Sequence, residues 1–147
     1  MERTKIKKIS SAIEFHQINE ILLSEITFPI EGEGIYIKHA GTHYGHVKIQ
    51  ISEKPELGSS ICYWYLTEEE FPKGVYREGI EKVLSFFISY LEAIRGERIN
   101  IYFDILDATF HPVDSSVGDF EIATIQAIIN AFDKNLYIPE HKYVYRK

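Results

Sequence analysis

Four histidines are the most inviting chemical groups in this chain: His39, His43 and His46 in one short stretch, and His111 much later. Imidazole is a common zinc ligand, but zinc wants three or four N, S or O donors held tetrahedrally. Gly41 and Gly45 make the first stretch irregular, so the step from His39 to His43 need not be one helical face. No cysteine pair or HExxH pattern accompanies them, and the expectation is exposed loop histidines with no metal. Nucleophilic catalysis needs Ser115, Ser116 or Cys62 beside a histidine in a defined pocket. The two serines are better explained as helix caps, and the aromatic neighbours of Cys62 suggest packing in a strand. Asp104, Asp107, Asp114 and Asp119 offer carboxylates for an acid–base pair, yet Asp114 and Asp119 suit the positive end of a helix dipole. There is no phosphate-binding loop of the G-x-x-x-x-G-K-[ST] kind. The chain is therefore expected not to be an enzyme and to need no cofactor.

The elements that position His111 are the clearest in the sequence. Over residues 99–107, Ile99, Ile101, Phe103 and Ile105 alternate with Asn100, Tyr102 and Asp104, the period of a half-buried strand. A polar loop follows, and Ser116 with Asp119 has the capping-box spacing that opens a helix. That helix carries two stripes, Phe120, Ala123, Ala127 and Ala131 on one side and Ile122, Ile125, Ile129 and Phe132 on another. Apolar over so much of its circumference, it is expected to pack between a sheet and another helix, or against a partner.

The other elements are read in the same way. Residues 1–18 are an N-terminal extension of unknown form, and residues 19–147 are one domain. Apolar density over residues 21–28 suggests a first strand stopped by Pro29, with a turn or bulge at Gly32 and Gly34 and extended chain from Ile35 to Lys38. Val47, Ile49 and Ile51 face a core while His46, Lys48 and Gln50 face outward. Residues 60–66 form the next strand. Over residues 74–93, Tyr76, Ile80, Val83, Leu84, Phe87, Ile88 and Leu91 recur at helical steps, leaving Arg77, Glu78, Glu81, Lys82, Ser85 and Ser89 outside. Tyr143 and Tyr145 alternate in a stretch, residues 136–147, that suits a last strand. The order β-β-β-β-α-β-α-β implies an α+β two-layer sandwich, a sheet of about four or more strands with two helices on one face.

A chain of 147 residues, 45% of them apolar, suffices for one domain with one real core. Its apolar runs are short and residues 1–9 lack a signal-peptide core, so a soluble, cytoplasmic protein with no membrane partner is expected. The single cysteine fits a reducing compartment. A net charge of −6 argues against coating nucleic acid through broad electrostatics, although Lys5, Lys7 and Lys8 and, at the other end, Lys142, Arg146 and Lys147 are local basic clusters.

Two stretches resemble a known family. Tyr44, Gly45, His46 and Val47 before an alternating strand, and residues 107–116 (DATFHPVDSS) before a helix carrying Phe120 and Ala123, are similar to domain IV of translation elongation factor G and of the tetracycline-resistance ribosomal protection proteins. Phe71, Pro72 and Lys73 with Tyr76 and Ile80 resemble the start of that domain's first helix, and the likeness covers roughly residues 21–145. It implies a β-α-β unit with a left-handed crossover. It also implies a tip that reaches the decoding region of the small ribosomal subunit, with no GTPase activity in this chain itself. Carried onto this sequence, the RNA- or ribosome-binding tip is His39, Thr42, His43, Thr109, Phe110, His111 and Asp114. Where the family has Gly-Gly-Arg-Gly, this chain has His39, Ala40, Gly41 and Thr42, so the tip is less basic. The alternative is a protein-interaction module that keeps the fold without ribosome binding, using the apolar second helix, for self-association or a partner, and the aromatic strand Tyr63, Trp64 and Tyr65.

Overall fold

The computed structural model describes residues 6–7, 14–38, 42–134, 136–139 and 143–146. A 3-10 turn at Phe15–Ile18 leads into a short helix α1 (Asn19–Leu22). Strands β1 (Ile30–Lys38) and β2 (His43–Glu53) follow, then β3 (Ile61–Trp64), helix α2 (Val75–Arg95), β4 (Ile101–Thr109) and helix α3 (Val117–Phe132). The sheet order is β1-β2-β4-β3, with β1/β2 and β2/β4 antiparallel and β3/β4 parallel. Parallel neighbours need a crossover, and α2 supplies it. The fold is the expected α+β sandwich, a four-stranded mixed sheet with the long helices packed on one face. No helix among the described residues is long and apolar enough to cross a membrane.

Residues 21–28 are not the strand that their apolar density suggests. Phe15, Ile18 and Leu22 recur at helical spacing, and all three are buried in the core, with the Phe15 ring 5.2 Å from that of Phe87 on α2. Arg95 at the end of α2 donates to the Leu22 carbonyl at 2.9 Å, which fixes the turn that follows. Residues placed in an N-terminal extension by the sequence thus belong to the core.

Gly32 and Gly34 are not a turn either; both lie within β1, under α3. A Cβ on Gly32 would stand 2.0 Å from the Ala127 carbonyl oxygen, and one on Gly34 1.9 Å from that of Ala123. Glycine is required because helix backbone, which cannot rotate aside, occupies the space of a side chain. The alanine stripe of α3 is the other half of this close approach. Its remaining circumference meets α2 and the N-terminal turn, so the apolarity of this helix is largely used within the chain. Asn130, which interrupts the apolar run, donates to the Glu33 carbonyl of the edge strand at 2.9 Å and accepts from the Tyr137 N–H at 2.8 Å.

Two further expectations are corrected. Arg77 is buried, not on the outer face of α2. Its guanidinium donates to the carbonyls of Leu66, Thr67 and Phe71 and lies 4.5 Å from the Trp64 ring centroid. A fork of N–H groups satisfied by carbonyls and an aromatic face can be buried without a carboxylate. The last strand does not form among the described residues 136–139 and 143–146. There the backbone bonds to side chains in place of a sheet edge, Tyr137 N–H to Asn130 and Tyr145 N–H to the Tyr44 hydroxyl at 2.7 Å.

Candidate functional site

The β1–β2 hairpin and the loop of residues 110–116 lie together at one end of the sheet, and hydrogen bonds join them. The Tyr44 N–H donates to the Asp114 carbonyl at 3.2 Å, and the Ser115 hydroxyl donates to the Tyr44 carbonyl at 2.8 Å. Ser115 Oγ also accepts the His111 N–H at 2.8 Å, so one hydroxyl ties both ends of its own loop to β2. Below it, Ser116 and Asp119 form the expected capping box at the start of α3. Asp119 does more than cap: Oδ2 accepts the Ser116 N–H while Oδ1 lies 3.0 Å from His43 Nδ1. A carboxylate at a helix N-terminus is stabilised by the helix dipole, and here it also orients an imidazole on the neighbouring strand.

His111 is held from inside. Its Nδ1 faces the backbone N–H groups of Val113 and Asp114, each at 3.2 Å, with Asp114 Oδ2 at 3.3 Å. A ring nitrogen that accepts those N–H groups leaves the proton on Nε2, which has no partner among the described residues. The ring is edge-on to Tyr145 at 4.7 Å. Val113 beside it is 82% exposed.

The structure divides the sequence-derived site. Thr42, His43, His111 and Asp114 are on the surface or half-exposed at the tip, with Thr42 Oγ1 bonded to the Lys38 carbonyl at 3.4 Å. Phe110 turns inward, its ring 6.0 Å from Phe71 and 6.1 Å from Tyr76. Thr109 is buried on the sheet face opposite the helices. His39 lies outside the described residues.

The sequence missed how Thr109 reaches that face. Strict alternation from Ile101, Phe103 and Ile105 aims it at the core. A bulge interrupts the β2–β4 register: Ile105 pairs with Ile49 but Asp107 with Lys48, leaving Leu106 unpaired. One extra residue exchanges the faces. Ala108 then enters the core, and Thr109 meets Tyr44 and His46. Its Oγ1 is 2.6 Å from the Tyr44 hydroxyl and 3.0 Å from His46 Nδ1, and His46 Nε2 is 2.7 Å from Glu33 Oε2.

His46 lies on the sheet face away from the core, as its alternation with Val47 predicts, but it is fully buried there, contrary to the expectation of exposed loop histidines. A single direction satisfies the whole line. Tyr145 N–H donates to Tyr44, Tyr44 to Thr109, Thr109 to His46, and His46 Nε2–H to the Glu33 carboxylate. Burial pushes the Tyr44 hydroxyl above its ordinary pKa, and the bonds to Thr109 and to the Tyr145 backbone partly offset this. His43 and His46, three apart on one strand, project to opposite faces. Cys62 faces the helix layer, and burial, reinforced by nearby Glu81 and Asp104, pushes its thiol up to about 12. At neutral pH it is a packed thiol, not a thiolate.

No family model matches the chain. Its fold is similar to that in a crystal structure of a protein from Thermus thermophilus, with a TM-score of 0.58 and 23% sequence identity. The match spans 73% of this chain and 16% of that protein, so what the two share is the fold of one part of the larger molecule.

Proposed function

We propose that this chain is a non-enzymatic domain that binds RNA or the small ribosomal subunit through its tip, in the manner of elongation factor G domain IV. The observation that carries the reading is the joining of the loop of residues 110–116 and the start of α3 to the start of β2 through Ser115, Tyr44 and Asp119, which brings His43, His111 and Asp114 to one end of the sheet. Distorted or single-stranded RNA is recognised by stacking on rings and by hydrogen bonds to base edges and 2′-hydroxyls. The Nε2–H of His111 and the Asp114 carboxylate supply a donor and an acceptor for that purpose, and the exposed, apolar Val113 a wedge.

On the hairpin the lysine nearest the tip is Lys38, and the Arg146 guanidinium, next to Tyr145, is already paired with Asp107. Binding is then governed by contacts to bases and sugars more than by phosphates, and its salt dependence is shallow, a log–log slope of about −1 for one phosphate contact. The test is co-sedimentation with purified small ribosomal subunits at about 50 and 150 mM salt. Binding that falls several-fold in the His111→Ala and His43→Ala variants supports the reading. Absence of binding at both salts, or equal binding by both variants, overturns it.

A further inference from the structure

Away from the tip, no element among the described residues covers the sheet face opposite the helices over β3 and β4. Ile61, Tyr63 and Tyr65 project from it, Tyr63 and Tyr65 being 50% and 59% exposed, with their rings 4.9 Å apart and edge-on. Tyr102 shares the face, and Lys54 Nζ stands 4.1 Å from its ring centroid. Between these rings is Asp104, directly opposite Tyr63 in the parallel register and two residues from Tyr102 on the same strand. It is 9% exposed, and its Oδ1 is buried with no hydrogen-bond partner among the described residues. A buried carboxylate oxygen left unpaired is costly, and native structures retain few of them.

From this arrangement we propose that the Tyr63–Tyr65–Tyr102 face is a docking site for an arginine side chain of a basic polypeptide partner, with Asp104 as the acceptor that the guanidinium reaches. The chemistry of the site selects a cation. Tyrosine faces attract guanidinium groups, and Lys54 over Tyr102 demonstrates that attraction within the chain itself. Arginine fits better than lysine because a planar fork can stack on one ring while donating to a carboxylate. Tyr63 is exposed enough to change rotamer on the nanosecond scale, which opens the path to Oδ1. The net charge of −6 complements a basic partner, and the central carboxylate repels a phosphate chain, so nucleic acid is disfavoured on this face.

The experiment uses the full chain with an unstructured peptide of alternating arginine and glycine, followed by NMR amide shifts and by anisotropy of a labelled peptide. Shifts concentrated at Tyr63, Tyr65, Tyr102 and Asp104 are expected. Affinity should fall about ten-fold in Asp104→Asn, as for loss of a charge-assisted hydrogen bond, and a few-fold in Tyr63→Ala. Glu69→Gln, which removes the same charge elsewhere, controls for general attraction and should change affinity less than two-fold, or about 0.4 kcal/mol. Equal losses in Asp104→Asn and Glu69→Gln, shifts centred on residues 68–70, or displacement of the peptide by an oligouridine of equal length overturn the proposal. This site is independent of the tip: His111→Ala should leave peptide binding unchanged, and Asp104→Asn should leave ribosomal co-sedimentation unchanged.

Discussion

Ser115 Oγ lies 2.8 Å from the carbonyl oxygen of Tyr44, a residue 71 positions earlier in the chain. That bond, with the His111 N–H donated to the same oxygen of Ser115, couples a strand, a loop and a helix start through one hydroxyl. Replacing Ser115 by alanine leaves the His111 N–H and the Tyr44 carbonyl without this partner. The expected cost is about 1–3 kcal/mol in urea unfolding. The amides of His111 and Tyr44 should also exchange faster with solvent. Unchanged stability together with unchanged exchange would show that the loop and β2 hold each other by other means.

Substituting alanine for glycine should have opposite signs at two positions. Gly34→Ala drives a Cβ into the Ala123 carbonyl of α3, with 1.9 Å available, and a strand and a helix must move apart. Overpacking of this kind costs about 1–3 kcal/mol or more. Gly118→Ala, in the first turn of α3, meets only Ser116 Oγ at 3.9 Å. Removing glycine freedom from a helix should raise stability there by up to about 1 kcal/mol. Thermal midpoints of the two variants that moved together would contradict this account of the strand–helix contact.

Arg77 serves the loop of residues 66–71 as its internal hydrogen-bond donor. Arg77→Ala should cost about 3 kcal/mol, since the Leu66 and Phe71 carbonyls lose the guanidinium donors at once while the Thr67 carbonyl keeps only the Phe71 N–H. Arg77→Lys should restore only part of it, because an ammonium on a flexible stem cannot reproduce the fork. Trp64, the only tryptophan, stacks on Phe71 and lies against the Arg77 guanidinium, so its fluorescence reports the loop directly. A lysine variant with the parent's midpoint and emission would mean that charge alone suffices.

Asp104 gives a pH dependence with a definite sign. Burial raises its pKa above the ordinary carboxylate value, with Lys54 acting in the other direction. An acid with a raised folded-state pKa holds its proton more tightly when folded, so it costs nothing below the ordinary carboxylate range. The cost grows as pH rises toward the folded pKa and is complete above it. Asp104→Asn is therefore expected to be more stable than the parent at pH 7, and the difference between the two should shrink toward about pH 3. A difference that stays constant or widens on acidification rules out this origin. A variant that gains stability while losing peptide binding marks a carboxylate retained for binding.

Much of this molecule was readable from local pattern. The helices 75–95 and 117–132, the capping box of Ser116 and Asp119, and the strands around Val47 and Ile101 follow from periods of 3.6 and 2 and from a hydroxyl–carboxylate spacing, all of which depend on neighbours in the chain. The two-layer α+β architecture follows from their order. What depended on contacts across the chain was not readable. Gly32 and Gly34 look like a turn until Ala123 and Ala127 arrive from α3; the one advance signal was glycine at a strand's two-residue step with alanine at a helix's four-residue step. Arg77 looks like solvent-facing helix until the carbonyls of Leu66, Thr67 and Phe71 close around it. Thr109 is the sharpest case. Its local alternation assigns it to the core, and the unpaired Leu106 exchanges the faces, placing it between Tyr44 and His46. A bulge is a property of strand pairing and not of one strand, so the residue that organises the buried side of the tip acquires its position only when β2 and β4 meet.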